Sequence, residues 1–474
     1  MTAAKRAGEG SLREKALKGG MFLAGRQILG IGLRLIAVFV ITRIIGPYEY
    51  GLFAACMGIF LYLQSFGTWG IDVYLLRKPE DLSKEELNQG FTLLLAIGLV
   101  FGCLMYGFRG ALAAAVKMPA VKPMFGVLAL SVPCALIYLP AMVQLDRALD
   151  FRRVAINEFV SQTFQYVVAV PLALAGGGAW SLVLGLVASN LCLCVLTYQA
   201  AGLRPRLHWN RALVRQMLGY GLGYSSSIWV WQLRSLVNPI LVGRLAGAEA
   251  VGYVGLAIRI CEVLSFVRSA AWRIAMAALA KLGNDTDRLR QSITEGMRLQ
   301  TLAVGLPLAG FAIIAPYTIA HAFGTRWEPA IRVYPFIALS YFASSVFNLH
   351  SSVLYLLKRN WSVTAFHAVH VFLIAGSAVL LVPRMGILGY GWGEVVALAS
   401  YVVLHYFVQH EIGSPSYRIG AIWCGAATCV FILTALGTPA VYLAPLVLLF
   451  PLLFPEERSS LHGYAQILLS RTGA

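Results

Sequence analysis

The chain has 474 residues, 59% of them apolar and only 12% charged, with a mean hydropathy of +0.73, whereas soluble domains carry about 25% charged residues. Apolar runs of roughly 20 residues follow one another with short connections, which excludes a soluble core and marks transmembrane helices. The formal charge of +17 is no nucleic-acid footprint, because no basic soluble segment with interleaved aromatics carries it.

Taken in order, residues 5–18 are basic, and the apolar run that follows contains Arg26 and Arg34. It is long and lacks a small-residue cleavage site, so it reads as a retained first helix rather than a signal peptide. The pattern predicts an all-α polytopic membrane protein of about fourteen transmembrane helices. They fall near 19–45, 51–76, 90–110, 122–144, 158–175, 179–201, 217–245, 250–272, 298–322, 331–357, 361–382, 387–409, 418–437 and 440–454. All eight cysteines fall inside these spans and none forms a C-x-x-C pair, the usage expected of small buried apolar residues.

Most of the positive charge is topological. With the N-terminus inside, the cytoplasmic segments hold 25 of the 38 Lys and Arg and the opposite side holds 8. The positive-inside rule therefore predicts that both termini are cytoplasmic. Five arginines remain within spans: Arg26, Arg34, Arg234, Arg259 and Arg268. An arginine near a helix centre costs roughly 2.5–3.5 kcal/mol on insertion scales, and such residues usually face a bundle interior or a wet cavity. Arg268 lies near the cytoplasmic end of its span, where snorkelling is expected.

Two internal matches predict a repeat. Arg43, Gly46 and Gly51 recur as Arg244, Gly247 and Gly252, an offset of 201. Gly178-Ala-Trp180 is matched by Gly389-Tyr-Gly-Trp392, an offset of 211, near the start of the sixth helix of each half. Six helices per half is even, so the halves share orientation and are related by an axis along the membrane normal. The expected division is a six-helix bundle over 1–215, a second over 216–412, and two further helices with a cytoplasmic tail over 413–474.

At 100° per residue the polar side chains of several spans fall on one stripe. These stripes hold Arg26, Gln27 and Arg34 in helix one, and Tyr62, Ser65, Trp69 and Asp72 in helix two. Helix five aligns Glu158, Gln162 and Gln165; helix seven aligns Ser227, Arg234 and Asn238. Helix eight aligns Arg259, Glu262, Ser269 and Arg273, and helix ten Tyr341, Ser344, Ser345, Asn348, Ser352 and Tyr355. Helix twelve aligns Glu394, Tyr401 and His405. Such stripes commonly glue helices together, but a full charge exceeds what glue requires. The candidate substrate-binding residues are Arg34, Arg234, Arg259, Asn238, Arg26, Tyr341 and Asn348, a set suited to an anionic, hydroxyl-rich ligand. Glu262 and Glu394 are the candidates for ion coupling.

The turn Gly46-Pro47-Tyr48-Glu49-Tyr50-Gly51-Leu52-Phe53, the doubled six-helix plan and the two extra C-terminal helices resemble the Wzx-type oligosaccharide flippases. These belong to the multidrug/oligosaccharidyl-lipid/polysaccharide exporter superfamily, and the resemblance covers nearly the whole chain. It implies a non-enzymatic, multi-pass protein of a bacterial inner membrane. Such a protein flips undecaprenyl-pyrophosphate-linked oligosaccharide units to the periplasmic leaflet, for exopolysaccharide or O-antigen-type polysaccharide assembly, by alternating access around a cationic lumen. By position, Arg34, Arg234 and Arg259 would charge that lumen. The implied partners are the lipid-linked oligosaccharide, membrane lipids and other membrane proteins of polysaccharide assembly, without nucleic acid or cofactor.

Two other classes fit parts of the pattern. A cation-coupled exporter of the same superfamily would carry carboxylates deep in the first-half helices, where this chain has Arg26 and Arg34; Asp72 and Glu158 lie near the cytoplasmic ends. A membrane glycosyltransferase or polysaccharide polymerase could use Asp285-Thr-Asp287 as a metal-binding D-x-D, but no nucleotide-binding domain surrounds it and the longest periplasmic loop, about 111–121, is small. The scattered His367, His370 and His405 lack the acid or cysteine partners of a metal site.

Overall fold

The computed structural model describes residues 3–78, 80–268, 279, 285–418, 421–437, 439–455, 457–459 and 462. Side chains are described from Gly30 onward, except at 31, 34, 35, 222–224 and 440. Every regular element among the described residues is helical and none is a strand. Hydrocarbon offers no water to a bare N–H or C=O, and a helix satisfies both within itself.

Among the described residues nine helical stretches are long and apolar enough to cross a membrane. Two of them, Ile36–Gly67 and Ser225–Leu264, run through a kink at Gly46 and Gly247 and so contain a turn expected between two passes. The helix Phe151–Leu174, with Arg152, Arg153 and Glu158 in its first turns, and the shorter Ala421–Leu436 and Val441–Leu453 lie outside the nine. The chain divides into two compact units, Met1–Gly255 and Leu256–Ala474.

Four helices that start on the side that the charge count assigns to the cytoplasm are capped by side chains. Ser83 and Glu86 form a reciprocal capping box at Lys84–Gly107. Asp150 accepts from the Arg153 N–H, Asn210 from Ala212 and Leu213, and Asp285 from Arg288. Each cap satisfies N–H groups that a helix start leaves bare. On the opposite side the reversals are glycine turns at positive φ, namely Gly46 (76°), Gly178 (52°), Gly247 (86°), Gly324 (98°) and Gly386 (59°).

The glycine geometry tests the repeat directly. Gly46 (φ 76°, ψ 175°) and Gly247 (φ 86°, ψ 179°) share a conformation essentially closed to other residues. The later match shifts register. Gly178 (φ 52°, ψ −133°) is matched in conformation by Gly386 (φ 59°, ψ −135°), three residues before the Gly389 that sequence similarity selects. Sequence similarity there pairs Gly178 with Gly389; backbone conformation pairs it with Gly386.

Within the first unit the two turns meet backbone to backbone. A Cβ on Gly51 would strike the carbonyl of Ala248, and one on Gly252 the carbonyl of Pro47. Further along, Gly58 leaves no room against Ser235 and Pro239, and Ser235 Oγ donates to Gly58 O at 3.2 Å. At the far end Gly221 abuts Trp69, whose Nε1 donates to Leu218 O at 3.3 Å. Ile71, Leu75, Leu93, Leu94, Leu136, Val143 and Met217 form the apolar core at that end.

The 203–210 segment is pinned by its own backbone. The N–H groups of Arg206, His208 and Asn210 donate to Asn88 Oδ1, Thr92 Oγ1 and Gln89 Oε1. Arg147 likewise donates to the carbonyls of Lys78 and Glu80, both at 2.6 Å, closing the loop after residue 77.

Gly51→Ala will force the mated turns apart, at the roughly 1–3 kcal/mol of an overpacked contact, and Gly247→Ala will strain its own backbone by about 1–3 kcal/mol. Gly376→Ala, where an added Cβ meets nothing within 4 Å, is the control. Thermal unfolding of the purified proteins should place the first two below wild type and the control at or above it; three equal melting temperatures would contradict the packing described.

Candidate functional site

The turn after the first helix supplies a role for nearly every residue in it. Gly46 takes the positive φ, and Pro47 follows at the start of the next helical arm. Glu49 Oε2 accepts the Ala179 N–H at 2.8 Å, capping the helix Ala179–Ala201 just after Gly178. Tyr50 is buried, and Gly51 admits Ala248.

In the first unit, Asn238 and Pro239 lie in a π-helical stretch, Val237–Val242, as expected where proline withholds an N–H. Asn238 Nδ2 donates to Val251 O at 3.3 Å, tying together the arms on either side of Gly247. Its Oδ1 is buried without a hydrogen-bond partner among the described residues. One turn earlier, Arg234 is half-buried, its guanidinium 5.4 Å from the Trp231 ring centroid, within cation–π range. Ser227 is fully buried nearby in sequence. The side chains of Arg26, Gln27 and Arg34 lie outside the described residues, as do Ser269 and Arg273. Gln162, from the helix-five stripe, reaches the first helix and donates to Gly30 O at 3.4 Å.

In the second unit, Arg259 and Glu262 form the expected pair three residues apart, at 3.0 Å, with 33% and 43% of their side chains exposed. An exposed pair of this kind contributes at most about 1 kcal/mol. Tyr341, Ser344 and Asn348 of the helix-ten stripe converge on Arg268. Its guanidinium donates to Ser344 Oγ at 3.0 Å and lies 5.4 Å from the Tyr341 ring centroid, and Asn348 Nδ2 donates to its backbone carbonyl at 3.4 Å. The expectation that Arg268 snorkels is thereby corrected: polar partners across the bundle hold the charge.

Glu394 is fully buried and accepts the Tyr390 hydroxyl at 2.8 Å. Other members of the stripes bond their own helix, Ser345 to Tyr341 O and Ser352 to Asn348 O. The D-x-D resolves into ordinary helix chemistry, with Asp285 capping Thr286–Gln300 and Asp287 pairing Arg290 at 2.6 Å.

The fold is that of a helical membrane protein of many spans, and comparison places it among known ones. The structure superimposes on the lipid II flippase MurJ in its inward closed conformation with a TM-score of 0.72, at 12% identity, over 91% of this chain and 97% of that one. An inward-facing multidrug resistance MATE family transporter of the MOP superfamily gives 0.65, also at 12% identity, over 81% and 94%. A profile of the family described as "Polysaccharide biosynthesis protein" matches residues 40–332, more than half of the chain, which belongs to that family. The lipopolysaccharide biosynthesis protein WzxC of Escherichia coli is 24% identical over 424 residues, 87% of this chain and 85% of its own. The succinoglycan biosynthesis transport protein ExoT of Rhizobium meliloti is 24% identical over 312 residues, 65% and 63% of the two chains. The resemblance read from the Gly46–Phe53 turn and the helical plan is therefore real.

Tyr390→Phe removes the hydroxyl that Glu394 accepts in a water-free place, a loss of about 1–3 kcal/mol. It should lower the melting temperature, and Tyr390→Phe with Glu394→Gln together should recover part of the loss. A double variant as unstable as the sum of the two would contradict the coupling.

Proposed function

We propose that this membrane protein flips undecaprenyl-pyrophosphate-linked oligosaccharide units from the cytoplasmic to the periplasmic leaflet of a bacterial inner membrane, for exopolysaccharide or O-antigen-type assembly. The observation that carries the proposal is the family membership together with near full-length similarity to a protein named for lipopolysaccharide biosynthesis. The charge inside the first-half spans supports the substrate's sign: the deep charges there are Arg26 and Arg34, with Asp72 and Glu158 near the cytoplasmic ends. That balance disfavours the cationic substrates of a drug exporter.

In this reading Arg34, Arg234 and Arg259 meet the pyrophosphate, assisted by Arg26, because guanidinium pairs bidentately with phosphate oxygens and stays charged in hydrocarbon. Asn238, Tyr341 and Asn348 meet sugar hydroxyls, and the polyprenyl tail remains in lipid. Arg259 changes partner during the cycle: Glu262 holds it at rest and yields it to the arriving anion. Access then alternates as the repeats 1–215 and 216–412 rock about their glycine reversals, with 413–474 appended and both termini cytoplasmic. Glu394 is the stronger candidate for ion coupling, Glu262 being the counter-ion of Arg259.

Polymer export in a strain lacking the protein, complemented at matched membrane levels, tests the assignment. Arg34→Ala, Arg234→Ala and Arg259→Ala should each cut export by at least about tenfold, as loss of a charged contact of roughly 1.5–3 kcal/mol implies. Lipid-linked units should accumulate on the cytoplasmic side. Wild-type export from all three variants would sink the residue assignment, and export undiminished without the protein would sink the function.

A further inference from the structure

Between the helix Ala179–Ala201 and the helix Arg211–Gln232 the first unit carries a charged and aromatic segment that the transport chemistry above does not use. Residues 203–215 contain Arg204, Arg206, Arg211 and Arg215 and no acidic residue. All four arginines are exposed, and none of their guanidinium groups has a hydrogen bond or ion pair among the described residues. Glu80 and Glu86, close to the start of the neighbouring helix Lys84–Gly107, are paired with Lys78 instead. Among the arginines stand Leu207 and Trp209, 74% and 65% exposed.

Local structure sets how this segment is presented. The N–H groups of Arg206, His208 and Asn210 all donate to the helix Lys84–Gly107, the every-second-residue pattern of an extended chain. Leu207 and Trp209 alternate with those donors and therefore share one face. Asn210 then caps the helix Arg211–Gln232, which turns Val214 and Met217 into the apolar core and leaves Arg211 and Arg215, one turn apart, outside.

Depth follows from the partner helix. Lys84–Gly107 is a span of 24 residues, roughly 36 Å long at 1.5 Å per residue, against a hydrocarbon core of about 30 Å. Its charged and amide residues end at Gln89, and the acceptors Asn88, Gln89 and Thr92 stand roughly 6–12 Å from its start. The segment is thereby held at the boundary of headgroups and acyl chains, on the side that the charge count assigns to the cytoplasm. An indole is favoured at that depth, and arginine there reaches lipid phosphate.

We propose that residues 204–215 form a binding site for anionic phospholipid of that leaflet. The arginines take the headgroup phosphates, and Trp209 with Leu207 lies against the upper acyl chains. Charge complementarity selects the occupant: four cations without protein partners beside two exposed apolar side chains suit a ligand that is anionic and apolar at once, as a free phosphate is not. Attraction of this kind accumulates, at about fivefold in affinity for each arginine near the surface. The site moors the connector, so that the end of one helix and the start of the next are kept at one depth.

The test reads Trp209, one of ten tryptophans, as the difference in fluorescence between wild type and Trp209→Phe. The full chain is placed in phosphatidylcholine nanodiscs containing a fixed fraction of lipid brominated in the upper acyl chain, either phosphatidylglycerol or phosphatidylcholine. Bromine quenches an indole only at close range, so the two quenching curves give the preference of the site for the anionic lipid. Wild type should favour phosphatidylglycerol by at least about tenfold at low salt, the effect of two or more such arginines. The combined Arg204→Gln, Arg206→Gln, Arg211→Gln and Arg215→Gln variant should show no preference while Trp209 is still quenched by both lipids. Salt at about 1 M, where screening acts within about 3 Å, should erase the preference in wild type, and it decides the matter alone if the combined variant does not fold. Equal quenching by the two lipids in wild type, or a preference that survives the substitutions or the salt, overturns the proposal. So does an absence of quenching by either lipid, which would leave the face to water or to a protein partner, and so does a preference abolished by equimolar inorganic pyrophosphate, which would make the ligand free phosphate rather than lipid.

Discussion

The close approach of two backbones, Gly51 to Ala248 and Gly252 to Pro47, is the contact from which much of the first unit follows. Helices that meet through side chains stand 8–10 Å apart; these meet where a glycine on one arm faces a backbone carbonyl of the other. In a bilayer, where lipid is as apolar as leucine, helix association relies on this kind of packing and on interhelical hydrogen bonds. The glycine reversals at 46 and 247 aim the two hairpins at one another, and Ser235 donates to Gly58 O once they are close. A larger residue at either mated glycine would separate the hairpins and draw Ser235 away from Gly58.

Charge is the second constraint. Arginine in a span is expensive unless something receives it, and the described arginines have distinct recipients. Arg234 lies near an indole, Arg259 holds a half-exposed carboxylate, and Arg268 is bonded to a hydroxyl beside a phenol ring. The Arg259 pair is partly exposed, whereas Arg268 is bound into helix-ten contacts.

Much of the architecture was legible because hydropathy and glycine are local signals. The all-helical class, the turn at Gly46-Pro47 and its copy at Gly247 follow from apolar run length and from residues that tolerate positive φ. The letters pair Gly178 with Gly389 whereas backbone conformation pairs it with Gly386, because the turn conformation depends on which glycine carries the reversal. Site legibility was more partial. The Arg259–Glu262 pair follows from a spacing of three, but the role of Arg268 depends on a helix some 76 positions away, which no local window contains.

The central claim is that the protein carries a pyrophosphate-linked sugar across the bilayer. Its most direct test is transbilayer movement in proteoliposomes containing only the purified protein, with a polyprenyl-pyrophosphate oligosaccharide bearing a fluorescent sugar and an impermeant quencher outside. Protein-dependent exchange of the labelled lipid between leaflets, slowed in competition by the unlabelled compound, is the predicted result. Folded protein that leaves the leaflets unexchanged, or that exchanges an ordinary phospholipid equally well, would contradict the account.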